Sequence, residues 1–152
     1  MIIQVDTPEY ADTFAAIYNS ANTLFDNCEQ YKATGEIFLP QLKNDENFIC
    51  LYRQEVAGFM SFHFYGEYNE LTSLYVKREF QNQGIGESLI CHFEQKIKPG
   101  IPTFVKVLNS APWALHFYQK QGFTFLDEKK AESLKALGIT EKPWEKILCK
   151  KS

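Results

Sequence analysis

No apolar run in the 152-residue sequence approaches the roughly 20 residues that a membrane helix requires. Asp6 and Glu9 interrupt the start, so no signal peptide is expected, and a cytoplasmic protein without membrane contact is the expectation. A basic excess is absent too. The chain has 16 Lys and Arg against 19 Asp and Glu, a formal charge of −3, and no basic stripe, so nothing in it favours nucleic acid. Cysteine is sparse. Cys28, Cys50, Cys91 and Cys149 are widely spaced, with no CxxC pair or Cys/His cluster. Free thiols are expected, with no metal. His92 and His116 fall on different predicted helices and are assigned no role. Repeats, linkers and low-complexity tracts are also missing, so one domain over 1–152 is expected.

What the chain does have is aromatic bulk: 13 Phe and 8 Tyr, enough large rings to fill much of a core. A short strand is expected at 1–5. A helix is expected over 6–25, capped by Asp6 or Thr7, with Tyr10, Phe14, Ile17 and Tyr18 on one face. Residues 26–45 read as a short helix and a loop closed by Pro40. Strand patterns follow at 47–53, 55–66 and 69–77, joined by tight turns as antiparallel hairpins. In the second of these, Phe59, Ser61, His63 and Tyr65 alternate with Met60, Phe62 and Phe64. Bulk on both faces marks a central strand. A helix over 84–97 carries Ile85, Leu89, Phe93 and Ile97 on one stripe. Then come a strand at 103–108, a helix at 111–121, a strand at 123–128, an exposed helix at 129–138 and a strand at 144–150. The fold class is α+β or mixed α/β. An exposed edge of the last strand would suit a homodimer.

The stretch "REFQNQGIGESLICHF" (78–93) places two glycines where an apolar helix begins. The first N–H groups of a helix have no partners inside it and carry the positive end of its dipole. Gly84 and Gly86 would let an anion approach them, and Ser88 adds a hydroxyl. Taken alone, such a turn is either a packing device or an anion site. It is not a P-loop, which needs Gly-Lys-Ser/Thr, nor a dinucleotide fingerprint, whose third glycine would stand at Leu89.

A second stretch, "VLNSAPWALHFYQKQGF" (107–123), couples a strand end to a helix bearing Tyr118 and to Gly122-Phe123. With both in view, the chain resembles the GNAT superfamily of acyl-CoA N-acyltransferases. The family's phosphate motif, Gln/Arg-x-x-Gly-x-Gly/Ala, stands here as Gln81-Asn82-Gln83-Gly84-Ile85-Gly86. The close match covers roughly 70–126. The resemblance implies a mixed, mostly antiparallel sheet of about six to seven strands, splayed at its centre and flanked by about four helices.

It also implies roles. The backbone of Leu74, Tyr75 and Val76 would pair with the pantetheine arm of acetyl-CoA. The backbone of Gln83, Gly84, Ile85, Gly86, Glu87 and Ser88 would hold the diphosphate, with Gln81 and Asn82 beside it. Asn109 would touch the arm, although it stands nine residues before Tyr118 where many members have seven. Tyr118 would protonate the leaving thiolate; without the resemblance it reads as an ordinary half-buried helix tyrosine. The position often acidic in relatives is Thr72, so the base is open: Glu70 is the carboxylate at the strand's start, with His63 and Tyr65 as further candidates. Phe25, Tyr31 and Phe38, among Asp26, Glu29 and Glu36, are either an acceptor pocket or rings facing the core. The implied activity is acetyl transfer from acetyl-CoA to a primary amine of a small molecule or peptide, by direct attack in a ternary complex. The alternative is a non-catalytic acyl-CoA-binding or protein-interaction module.

Overall fold

The computed structural model describes residues 1–151. Among them, seven strands and five α-helices follow in the order β1 (Ile2–Gln4), α1 (Ala11–Ala21), α2 (Leu39–Asn44), β2 (Glu46–Tyr52), β3 (Glu55–Phe64), β4 (Asn69–Val76), α3 (Ile85–Lys96), β5 (Thr103–Leu108), α4 (Pro112–Lys120), β6 (Thr124–Phe125), α5 (Glu128–Lys135) and β7 (Glu145–Lys150). Hydrogen bonding orders the strands β1-β2-β3-β4-β5-β7-β6. Among the described residues the chain forms two compact units, residues 1–64 with 71–97, and residues 65–70 with 98–151.

In the first unit, β1, β2 and β3 are antiparallel. The β2–β3 hairpin turns on Arg53 and Gln54, both in the left-handed region at φ 51° and 68°. Two such residues in succession give the turn whose twist matches the strands. β3 is covered on both faces, as its two-sided bulk predicts. On one face Phe59 stacks on Phe14 of α1, centroids 4.1 Å apart, and Phe38 meets both rings edge-on. On the other, Phe62 meets Phe93 of α3 at 5.0 Å. At Gly58 of β3 a side chain would collide with the next strand: a Cβ there would lie 2.9 Å from the Tyr75 carbonyl.

In the second unit, the first two residues of β4 pair in parallel with β5, Asn69 with Thr103 and Glu70 with Phe104. β7 lies between β5 and β6, antiparallel to both. Tyr68, Phe104, Leu134, Ile139, Ile147 and Cys149 form its core.

Several expectations need correction. The helix over 6–25 is broken into a 3-10 turn at Pro8–Tyr10, α1, and another 3-10 turn at Asn22–Leu24. Thr7 is the first cap position but makes no side-chain cap bond. Pro40 does not close a loop; it sits in the first turn of α2, where its missing N–H costs nothing. The strand over 123–128 shrinks to two residues, because Asp127 turns aside to cap α5, its Oδ1 accepting from the Lys130 N–H at 2.8 Å. The helix expected to be exposed buries Leu134 completely. The C-terminal strand lies between β5 and β6 rather than at the end of its sheet, and β6 pairs with it only opposite Leu148 and Cys149. Phe38 is a core ring, 4% exposed, whereas Phe25 and Tyr31 stack on each other at 4.3 Å. No helix among the described residues is long and apolar enough to cross a membrane.

The Phe14–Phe59 stack carries the first unit's core. Phe14→Ala should lower unfolding free energy by about 3–5 kcal/mol, read from urea denaturation. A loss under about 1 kcal/mol would mean that the ring is not a core anchor.

Candidate functional site

The glycine turn begins where β4 ends. The Lys77 N–H donates to the Ala57 carbonyl at 2.8 Å, and a 3-10 turn at Arg78–Phe80 redirects the chain. Arg78 ties this turn to the end of α1: its N–H donates to Ser20 Oγ at 2.9 Å and its guanidinium to Thr23 Oγ1 at 3.3 Å. Gln81 then reaches back, donating from Nε2 to the Val76 carbonyl at 3.1 Å. This brace explains an amide at that position by local structure as well as by any ligand.

Asn82 and Gly84 both adopt left-handed backbone, at φ 64° and 79°. Space around Gly84 is open, with Glu87 Oε2 at 3.8 Å the nearest atom to a Cβ built there. Conformation, not crowding, calls for glycine here. Gly84 is the N-cap of α3 and no side chain caps the helix. The first intrahelical bond runs from the Ser88 N–H to the Gly84 carbonyl, 3.0 Å. The N–H groups of Ile85, Gly86 and Glu87 precede that bond and lie at the positive end of the helix. Ile85, Leu89, Ile90 and Phe93 are at most 4% exposed. Their burial anchors α3 and so fixes where its N-terminus lies. Gln83 accepts a long bond from the Tyr52 hydroxyl, 3.4 Å.

Leu74, Tyr75 and Val76 are half-buried. Tyr75 packs against Tyr18 and Phe59, at 4.9 and 5.6 Å. Burial, reinforced by the neighbouring Tyr18, pushes its phenol well above the ordinary range.

Tyr118 and Asn109 belong to the second unit. Tyr118 is buried on α4, 7% exposed, with its ring edge-on to Phe117 and Phe123. α4 ends at Gly122, left-handed at φ 95°, and the Phe123 N–H returns to the Tyr118 carbonyl at 3.0 Å. Asn109 is exposed, and its Nδ2 donates to the Pro143 carbonyl at 2.9 Å. One half of its amide is thus committed to its own unit. Glu70 is half-buried and accepts from the Tyr65 hydroxyl at 3.0 Å.

The sequence reading missed Asp45, the C-cap of α2. Its Oδ1 lies 3.0 Å from His63 Nδ1, and its Oδ2 accepts from Thr72 Oγ1 at 2.8 Å. Behind it, Gln41, Asn47, Ser61 and Ser73 form a chain of hydrogen bonds. The signal was present: Ser61 and His63 alternate with apolar residues on the face of β3 that α2 covers. Ser61 is fully buried, and a polar side chain there requires partners.

Three comparisons bear on this geometry. A model of the acetyltransferase (GNAT) domain matches residues 43–125. Curated protein sequences give no match. Among solved structures, the chain resembles the PaiA N-acetyltransferase from Thermoplasma acidophilum in complex with coenzyme A, with TM-score 0.73, 18% identity, and 100% and 99% of the two chains covered. An acetyltransferase from Thermus thermophilus has TM-score 0.75 at 18% identity, covering 99% of this chain and 96% of that one. A GNAT family acetyltransferase from Elizabethkingia anophelis with acetyl-CoA bound is 25% identical, with TM-score 0.57 and 77% and 82% covered. The domain model covers more than half of the sequence, and the chain belongs to the GNAT acetyltransferase family.

Proposed function

We propose that the protein transfers an acetyl group from acetyl-CoA to a primary amine of a small molecule or peptide. The observation that carries this reading is the N-terminus of α3, uncapped by any side chain and opened by left-handed Gly84 at the family's phosphate motif. Backbone N–H groups there suit a diphosphate, since they supply donors and a positive dipole without a flexible side chain. The Elizabethkingia anophelis relative, which carries acetyl-CoA, supports the same donor here.

In this reading the backbone of Leu74, Tyr75 and Val76 pairs with the amide-rich pantetheine arm as an added strand would. Residues Gln81 to Ser88 hold the diphosphate, and Asn109 contacts the arm. The amine nitrogen attacks the thioester carbonyl carbon directly, while the Val76 N–H polarises that carbonyl. As the C–S bond breaks, its electron pair goes to sulfur and Tyr118 donates its hydroxyl proton to the thiolate. Glu70 supplies a carboxylate to meet the incoming ammonium. Positioning supplies much of the rate, because a thioester is already activated.

No covalent enzyme intermediate is required. Burial raises the thiol of Cys50 and pushes that of Cys149 up to about 11, so neither is poised as a nucleophile. Four unpaired thiols suit a reducing cytoplasm.

Two variants test separate parts of the reading. Gly84→Glu places a bulky anion where the diphosphate would lie. Calorimetric titration should show acetyl-CoA binding by the wild type, lost in the variant, with the far-UV spectrum unchanged. Unchanged binding would remove the anion site from the account. Tyr118→Phe should lower kcat by about 100-fold or more while acetyl-CoA affinity changes little. Undiminished turnover would exclude Tyr118 as the acid.

A further inference from the structure

An amine acceptor is an ammonium ion near neutral pH, and it must shed a proton before nitrogen can attack. This inference rests on the acetyltransferase reading. Thr72 lies on β4 close to the segment assigned to the thioester arm, but a threonine cannot accept that proton. The fold brings in a carboxylate from elsewhere. Asp45, from the end of α2, bonds Thr72 of β4 at 2.8 Å and His63 of β3 at 3.0 Å. We propose that His63 is the catalytic base of the transfer and that Asp45 is its positioning residue.

The placement fits those roles. The Asp45 side chain is 10% exposed and that of His63 is 37% exposed, so the orienting group lies inside and the imidazole faces outward. A carboxylate only accepts, so Nδ1 carries the hydrogen and Nε2 becomes the basic nitrogen. The Thr72 bond occupies the second carboxylate oxygen and stops the group from rotating. Next to Thr72, Ser73 bonds Gln41 of the same network, and Tyr75, two residues further on, packs on Phe59, which shares the Ser61–His63 face of β3. That places the Asp45–His63 pair beside the strand segment assigned to the thioester arm.

The rest of the network holds Asp45 still. Its N–H donates to the Gln41 carbonyl at 2.9 Å, and its own carbonyl accepts from Asn47 Nδ2 at 2.8 Å. Asn47, 1% exposed, accepts from Ser61 Oγ at 2.5 Å; Ser61 accepts from Gln41 Nε2 at 2.8 Å; Gln41 Oε1 accepts from Ser73 Oγ at 3.1 Å. Buried polar groups are costly unless each is satisfied, and a satisfied network fixes one arrangement. The buried members suffice to fasten α2 to the sheet. The limb from Asp45 to the more exposed imidazole has the geometry of a base with its orienter.

The protons balance. One ammonium proton passes to His63 Nε2 and then to water. Nitrogen attacks, the C–S bond breaks, and Tyr118 protonates the sulfur. The second N–H proton returns through solvent to the Tyr118 phenolate. The net products are the acetamide, free CoA thiol and one proton.

The test compares two acceptors in the full chain: a primary alkylamine that the wild type acetylates, and methoxyamine, which is already neutral near pH 7. His63→Gln should lower kcat with the alkylamine about 100-fold, leave methoxyamine turnover within about fivefold, and leave acetyl-CoA binding by calorimetry unchanged. Asp45→Asn should show the same selectivity, more weakly. Nitrogen-15 spectra of wild-type His63 should show the Nδ1–H tautomer, and Asp45→Asn should displace it; this readout needs no turnover. The proposal is overturned if His63→Gln keeps the alkylamine rate. It is also overturned if Glu70→Gln gives the alkylamine-selective loss while His63→Gln does not, or if the Nε2–H tautomer dominates the wild type. A wild-type chain that binds no acetyl-CoA overturns this inference together with the acetyltransferase reading, whereas binding and turnover with an indifferent His63 overturns this inference alone.

Discussion

The burial of β3 on both faces is the constraint on which the first unit depends. A strand packed under α1 by Phe59 and under α3 by Phe62 cannot slip by one residue without exchanging its faces. Register in turn sets everything that borders the site. It places Gly58 where only a bare Cα fits against the Tyr75 carbonyl, and it sends Ser61 and His63 toward α2. It also holds the sheet against which α3 buries Ile85, Leu89 and Phe93, so the helix start is fixed in space. An anion site made of backbone N–H groups has no side chains to adapt, and its quality depends on how firmly that helix is seated.

The candidate site divides into two kinds of chemistry. In the proposed reading the donor side is backbone: strand amides at Leu74 to Val76 and helix-start amides up to Glu87, ahead of the first intrahelical bond. The proposed acceptor side is side-chain chemistry, in which Asp45, His63 and Thr72 would take part. This division explains why the turn tolerates neutral Gln81 and Asn82. Charge there is supplied by the helix dipole, and Gln81 is used to brace the turn to Val76.

Legibility followed the range of the interactions. The strand expected at 103–108 is β5, and the hairpin near Gln54 forms as expected, because alternation and turn chemistry are local. Residues 26–45 were poorly legible. They hold 3-10 turns at Cys28–Tyr31 and Gly35–Phe38, where no helical period develops; the one short helix expected there is α2, and Pro40 opens it instead of closing a loop. The short β6 was overcalled because Asp127, a good cap, outcompetes strand pairing for that segment. The interior place of β7 depends on long-range pairing that no local pattern encodes. The glycine turn was readable for the opposite reason, since its conformation is set by consecutive residues. Asp45 was not, since it joins residues 18 and 27 positions away.

The central claim is that backbone N–H groups at the start of α3, with those of β4, receive the donor. The most direct measurement follows backbone amide resonances while acetyl-CoA is titrated into the isotopically labelled chain. The account predicts the largest shifts at residues 83–88, with a second group at 74–76. Binding that leaves the amides of Ile85, Gly86 and Glu87 unmoved would contradict it.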